Sequence, residues 1–73
     1  MPTFVIVMRG YERQQVDELF ARIDSTLGRS SLPGEPVTAA DVRAVRFSSS
    51  LRGYDPRAVD EAVKQSVQEL EQV

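Results

Sequence analysis

The sequence predicts a mainly α fold with a minor β component (α+β), in which two strand/loop–turn–helix repeats form a coiled-coil-like helix pair with a short β pairing. Three observations support this class. Two long segments carry apolar residues at helical spacing, each segment follows an Arg-Gly-Tyr turn, and a short run of strand-favouring residues precedes the first turn. Because 73 residues allow one domain only, we expect residues 1–73 to form a single domain.

An internal repeat organises this domain. The tripeptide Arg-Gly-Tyr at 9–11 recurs at 52–54, an offset of 43, and the same offset aligns Val-Asp-Glu at 16–18 with 59–61. Background residue frequencies would seldom give six identities within ten positions, so we interpret the pattern as a duplication. We divide the chain into repeat one (3–28), a linker (29–36) and repeat two (37–73).

The segments before the two turns differ in strand character. Residues 4–8 are strand-favouring, whereas residues 47–51 contain three serines and need a partner to stay extended. We therefore expect these two segments to pair with each other. Gly10 and Gly53 suit positions of positive φ, where the chain turns sharply into each helix.

Two long helices are the strongest local prediction, over about 12–28 and 56–72. Asp55 is a favourable N-cap, and Pro56 follows at the first helical position. Glu12 occupies the equivalent cap position in repeat one and is a weaker cap. We predict that the two repeats fold as an intramolecular pseudo-dimer.

A shorter helix is predicted near 38–45. Gly28 ends the first long helix, and a linker rich in Gly, Ser and Pro follows. Thr38 can cap the short helix, with Asp41 three positions later as in a capping box. The short helix either fills space or positions the loop around Phe47, and the sequence leaves both interpretations open.

The apolar stripes of the long helices predict the core and a self-association surface. The residues expected to be buried there are Val16, Leu19, Phe20, Ile23, Leu27, Val59, Val63 and Leu70. So small a chain buries little apolar surface by itself, and it has no cysteine with which to form a disulfide. We therefore expect a homo-oligomer, with a dimer as its simplest form.

Composition narrows the chemistry. The chain has neither histidine nor cysteine, which excludes a Ser-His-Asp triad, a thiolate nucleophile and a Cys/His metal site. A net charge of −2 argues against a general nucleic-acid-binding protein. Without a glycine-rich phosphate loop or a metal-ligand constellation, we expect a protein that is not an enzyme, has no cofactor and binds no nucleic acid.

The repeated tyrosines and aspartates have a structural interpretation. We expect Tyr11 and Tyr54 to pack over the start of each helix. Asp17 and Asp60 are expected to bond the adjacent Arg-Gly-Tyr turn and not to act as an acid or a base.

A string of residues in repeat two has a family-specific order and spacing. It runs through Val37-Thr38-x-x-Asp41-Val42, Phe47, Ser50-Leu51-Arg52-Gly53-Tyr54-Asp55 and Val59-Asp60-Glu61. This string resembles the N-terminal domain of DivIVA-family proteins, which are bacterial scaffolds of cell division and polar growth. Repeat one matches from Phe4 onward, so the chain is similar to the tandem DivIVA-domain repeat proteins of actinobacteria.

The resemblance implies a membrane-associating module that is dimerised by a parallel coiled coil. In the family, an apolar residue and the adjacent arginine at a loop tip touch the bilayer. The matching positions here are Met8 with Arg9 and Leu51 with Arg52. Family members commonly have Phe at the apolar position, so Met and Leu are departures that weaken insertion.

The resemblance also implies partners and a location. The partners are a second copy of the chain, an anionic membrane surface and cell-division proteins. Residues 1–8 lack the positive region of a signal peptide, and no apolar run approaches the roughly 20 residues of a membrane span. We expect a cytoplasmic protein that associates with the membrane at the septum or pole.

Two functions remain open at this point. The first is a division or polarity module that contacts membrane or division proteins. The alternative is a protein-binding adaptor of DivIVA-like fold without membrane contact. Parallel helices would bring the two loop tips to one end of the molecule and favour the first function, whereas antiparallel helices would separate the tips and favour the second.

Overall fold

The computed structural model describes residues 3–29 and 36–72, so residues 30–35 of the predicted linker lie outside the described residues. Its elements follow the predicted α+β, mainly α, class, which is confirmed. In chain order they are β1 (Ile6–Val7), β2 (Gly10–Tyr11), α1 (Arg13–Thr26), α2 (Ala39–Ala44), β3 (Ser49–Ser50), β4 (Gly53–Tyr54) and α3 (Pro56–Glu71).

Acidic side chains cap both long helices. The Glu12 carboxylate accepts hydrogen bonds from the backbone N–H groups of Gln14 and Gln15, at 3.1 and 2.9 Å. In the second repeat, the Asp55 carboxylate accepts one from the N–H of Arg57 at 3.2 Å. Each cap satisfies donors that the first helical turn leaves free, so the capping residues set where α1 and α3 begin.

The end of α1 is a Schellman motif. Gly28 has a φ of 77°. Its N–H donates to the Ser25 carbonyl at 3.2 Å, and the N–H of Arg29 donates to the Asp24 carbonyl at 2.8 Å. A residue in the left-handed region is needed for this pair of bonds, and glycine adopts that region at no steric cost, so Gly28 ends the helix as predicted.

Helix α2 closes one side of the molecule. Its capping box is complete: the N–H of Asp41 donates to the Thr38 hydroxyl, and the N–H of Thr38 donates to the Asp41 carboxylate, both at 3.1 Å. The helix packs on α3 and buries Val42. The preceding residue, Val37, donates its N–H to the Thr26 hydroxyl at 3.0 Å, which ties this segment to the last turn of α1.

The four short strands form one antiparallel sheet in the order β1-β4-β2-β3. The expected pairing of residues 4–8 with 47–51 is wrong, because β1 and β3 lie at opposite edges of the sheet. Each edge strand pairs with the Gly-Tyr strand of the other repeat, and the two Gly-Tyr strands pair at the centre with Tyr11 opposite Tyr54. The repeats are therefore interlocked by strand exchange about a pseudo-twofold axis.

The glycines of the central strands serve close packing and not a left-handed turn. Among the described residues only Gly28 has a positive φ, so the expectation for Gly10 and Gly53 is wrong. A Cβ at Gly10 would lie 2.7 Å from the carbonyl oxygen of Gly53 and closer still to that of Tyr54. A Cβ at Gly53 would meet the backbone of Gly10 and Tyr11 in the same way. Two backbones in such close contact leave no room for any side chain.

The long helices run parallel. At their N-terminal ends, the Tyr11 hydroxyl just before α1 bonds Asp60 in α3, and the Tyr54 hydroxyl just before α3 bonds Asp17 in α1. At their C-terminal ends, Arg29 bonds Glu69. Since like ends meet like ends, the sheet lies at one end of an elongated molecule with extents of 35 × 22 × 17 Å.

The core lies between the long helices and under α2. Its buried apolar residues are Val16, Leu19, Phe20, Ile23, Val37, Val42, Val59 and Val67. Of the residues expected to be buried, Leu27, Val63 and Leu70 are half-buried at the edge of this core. Val63 stays partly exposed because it lines an open groove beside α2. Val37 and Val42 of the α2 region add two buried valines that were not among the expected core residues.

Candidate functional site

The two loop tips lie side by side at the sheet end of the molecule. Val7 is opposite Gly53 and Gly10 is opposite Ser50, so the segments 7–10 and 50–53 run against each other. Each tip is the pair of residues between these partners. Arg9 and Leu51 line one shallow depression together with Pro56, the first residue of α3. The parallel helices and the strand exchange thus bring the four residues Met8, Arg9, Leu51 and Arg52, hereafter the tip patch, onto one surface.

The apolar members of the tip patch point into solvent. The exposed fraction is 81% for Met8 and 76% for Leu51. On the repeat-one side Val5 and Ile6 are exposed as well, whereas repeat two has Ser48 and Ser49 at the corresponding positions. Large apolar side chains that are exposed together beside charged residues indicate a contact surface, because burial of the same side chains would have stabilised the fold.

The tip patch is positively charged in a chain of net charge −2. Arg9 and Arg52 are both exposed, and among the described residues neither takes part in a salt bridge. The patch itself contains no carboxylate. Two free guanidinium groups beside two exposed apolar side chains form a surface suited to an anionic, partly apolar partner.

Reciprocal tyrosine–aspartate bonds hold the two repeats together beneath the tips. The Tyr11 hydroxyl donates to Asp60 at 2.9 Å, and the Tyr54 hydroxyl donates to Asp17 at 2.8 Å. The aspartates were expected to bond the adjacent turn, but each bonds the tyrosine of the other repeat, because strand exchange carries each Gly-Tyr strand across the axis. Each tyrosine hydroxyl therefore reaches the first turns of the helix of the other repeat.

These hydrogen bonds raise the pKa of both tyrosines above the ordinary value. The bond to the Asp60 carboxylate is the largest cause for Tyr11, and the bond to Asp17 is the largest cause for Tyr54. Partial burial and repulsion from the same carboxylate add to each shift. The hydroxyls therefore stay protonated as donors, which suits a role in holding the repeats together.

A charge cluster at the opposite end was not predicted from the sequence. Asp24 is buried, and its carboxylate accepts a hydrogen bond from the Arg29 guanidinium at 2.8 Å. The same guanidinium donates to Glu69 at 3.0 Å and so joins the ends of α1 and α3. The available signal was a carboxylate on the apolar stripe of α1, one position after Ile23. Its partner could not be inferred, because Arg29 belongs to the predicted linker.

The features of the tip patch are exposed side chains that can contact a partner. Among residues 3–29 and 36–72, no group of three or more acidic side chains is arranged to hold a metal ion. Within the same ranges, none of the helices combines the length and the apolar character needed to cross a membrane. Comparison with known protein families, curated proteins and solved structures finds no match.

Proposed function

We propose that this chain is a non-enzymatic, DivIVA-like module for cell division or polar growth that associates with an anionic membrane surface through the tip patch. The observation that supports this most is the placement of two exposed apolar–arginine pairs on one surface. The pairs come from segments 43 residues apart in the sequence. The fold positions them together through strand exchange and parallel helices.

The expected affinity follows from the side chains involved. Burying one Leu or Met in an apolar phase contributes about 1.5–3 kcal/mol, and an arginine near anionic lipid contributes about 1 kcal/mol. Two tips on one rigid end therefore supply about 5–8 kcal/mol before the cost of association. Binding is weak and reversible for one chain and grows by avidity in an oligomer.

Orientation gives the rest of the molecule a role. With the tip patch on the membrane, the parallel helices carry their C-terminal ends away from the bilayer, by about 24 Å for a helix of 16 residues. The helix surfaces then face the cytoplasm. They are available for self-association as a dimer and for contact with cell-division proteins at the septum or pole.

Vesicle co-sedimentation tests this function. The wild-type chain is mixed with vesicles of neutral phospholipid alone or with about one third anionic phospholipid. We expect binding to the anionic vesicles that is lost in the double variant Met8→Ser, Leu51→Ser. Both side chains are exposed, so the free energy of unfolding should change by no more than about 0.5 kcal/mol.

Charge variants separate a specific surface from general attraction. Arg9→Gln with Arg52→Gln should abolish vesicle binding. The control variant Arg43→Gln with Lys64→Gln removes the same charge away from the tips and should retain it. Wild-type protein that fails to bind anionic vesicles, or equal losses in both charge variants, would overturn the membrane proposal and leave the protein-binding adaptor as the better interpretation.

A further inference from the structure

A groove lies between α2, the segment after it and α3. It encloses about 620 Å³, a volume within the range of protein ligand sites, and runs along α3 from Asp60 to Glu71. The eleven helical rises between these two residues correspond to a length of about 16 Å. The apolar lining residues are Val42, Val45, Phe47, Val63 and Val67, together with the ring of Tyr11. A groove of this length accommodates an extended segment of about five residues and not merely a single side chain.

The internal repeat shows what the groove lacks. At the offset of 43, Phe47 corresponds to Phe4 and Val63 corresponds to Phe20. In repeat one, the Phe4 ring contacts Tyr54 at 5.3 Å between centroids and Phe20 at 5.5 Å.

In repeat two, Phe47 has the matching contact with Tyr11, at 5.1 Å. Its second aromatic partner is missing, because Val63 stands where repeat one has a buried phenylalanine ring. The groove therefore contains the position of an aromatic side chain that repeat one fills from within.

The edge of the groove carries more positive than negative charge. Three cations line it, Arg43, Arg46 and Lys64, against two carboxylates. Both carboxylates are already bonded: Asp60 accepts from the Tyr11 hydroxyl at 2.9 Å, and Glu71 bonds Arg43.

Two of the three cations, Arg46 and Lys64, are available to pair with an acidic ligand. Arg46 donates to the backbone carbonyls of Arg43 and Val45, at 3.3 and 3.0 Å, which leaves its charge without an acidic partner. In the part of the chain that the structure describes, neither Arg46 nor Lys64 forms a salt bridge. The free charges at the groove therefore favour an acidic occupant.

We propose that this groove binds an acidic segment of a partner protein that inserts one aromatic side chain between Phe47 and Val63. The inserted ring takes the place that Phe20 has in repeat one. Carboxylates on either side of it pair with Arg46 and Lys64. This surface is separate from the tip patch, and its binding does not depend on a membrane.

The test is an NMR titration of ¹⁵N-labelled protein without lipid. The probe is the peptide acetyl-Glu-Asp-Phe-Glu-Asp-amide, with two control peptides that replace the Phe by Ala or every acidic residue by Lys. We expect saturable shifts confined to the amides of the groove residues with the probe. Affinity should be at least tenfold weaker with either control peptide.

Two protein variants locate the binding. Val63→Phe rebuilds the aromatic pair of repeat one inside the groove and should weaken probe binding at least tenfold. Because an added ring can disturb folding, Arg46→Gln with Lys64→Gln serves as the second variant. Both changes are exposed, so this protein should keep its melting temperature and bind the probe several-fold more weakly.

Four results would overturn the proposal. The first is the absence of a saturable shift in the groove residues, and the second is equal binding of the Lys peptide. The third is undiminished binding of the probe by a folded Val63→Phe protein. The fourth is a set of groove shifts that depend on protein concentration alone, together with a dimer in light scattering. The last result would assign the groove to a second copy of the chain. Since no vesicle is present, these outcomes are independent of the membrane test.

Discussion

The two repeats share one backbone plan but differ in how many apolar side chains each long helix buries. Helix α1 buries Val16, Leu19, Phe20 and Ile23, whereas α3 buries only Val59 and Val67 among its large apolar residues. Where repeat one closes over the Phe4–Phe20 pair, repeat two has an open groove. The segments before the loop tips differ in the opposite sense, since repeat one exposes Val5 and Ile6 where repeat two has serines.

This difference shows how a duplicated unit gains a second use. Strand exchange uses both copies of the Gly-Tyr strand and both Tyr–Asp bonds, and the repeats are identical at the Gly, Tyr and Asp positions involved. Positions outside the shared axis have diverged, and α1 supplies half of the buried apolar residues. The identical Gly, Tyr and Asp pairs therefore mark the contact between the repeats, whereas the divergent pair Phe20 and Val63 marks the groove.

The largest effect on the free energy of unfolding should come from disrupting the contact between the two central Gly-Tyr strands. Gly10→Ala or Gly53→Ala places a Cβ against the backbone of the opposite central strand, which cannot move without losing the sheet. We expect each variant to lose more than about 3 kcal/mol and to be largely unfolded in circular dichroism. Gly28→Ala is the control, since its Cβ would meet open space and cost only about 1–2 kcal/mol for the positive φ. A folded Gly10→Ala protein would contradict the close packing of the central strands.

The next effect compares the two helices at equivalent positions. Phe20 is buried and Val63 is half-buried, so Phe20→Ala should cost about 3–5 kcal/mol. Val63→Ala removes less surface from an open groove and should cost less than about 1 kcal/mol. Chemical denaturation measures both values. Similar losses of stability at the two positions would show that the repeats contribute equally to the core, which would contradict the difference described above.

The reciprocal tyrosines provide a smaller and symmetrical effect. Tyr11→Phe and Tyr54→Phe each remove one hydrogen bond across the repeats while keeping the ring, and each should cost about 0.5–1.5 kcal/mol. The two changes should be nearly equal and nearly additive in urea unfolding. A large inequality would mean that the pseudo-twofold axis does not govern this part of the structure.

The smallest effect is a pH dependence of the free energy of unfolding, which the same tyrosine variants can isolate. The folded-state pKa of both tyrosines is raised, so the protonated hydroxyls stabilise the fold below about pH 10, and this contribution is lost as the pH rises through the raised folded-state pKa. The free energy of unfolding should fall above about pH 10 in the wild type and fall less in the Tyr11→Phe, Tyr54→Phe double variant. The two proteins are otherwise identical, so the difference between their pH profiles reports the tyrosines. Parallel profiles would exclude this stabilisation.

Assembly remains a prediction from chain length. The pseudo-dimer gives a single chain a shared core, but several of its apolar residues are exposed or only half-buried. We expect light scattering to show a dimer. A stable monomer would contradict the homo-oligomer while leaving the interlocked repeats unchanged.

The helices and their ends were determined by the sequence alone. Periodicity, the caps at Glu12 and Asp55, the capping box at Thr38 and the stop at Gly28 all involve residues within one or two turns of each other. Interactions at such short separation are the same whatever the rest of the chain does. The repeat itself was also visible, since it is a property of residue order.

Only the tertiary structure decided which copy of each element pairs with which. Two equivalent Gly-Tyr strands and two equivalent aspartates satisfy the same local rules whether they pair within a repeat or across the axis. The exchanged arrangement brings the backbones of Gly10 and Gly53 into close contact, which no local pattern reveals. The tertiary structure likewise decided the adjacent tips, the Arg29 link between the helix ends and the groove beside Val63, because each brings together residues that are distant in sequence.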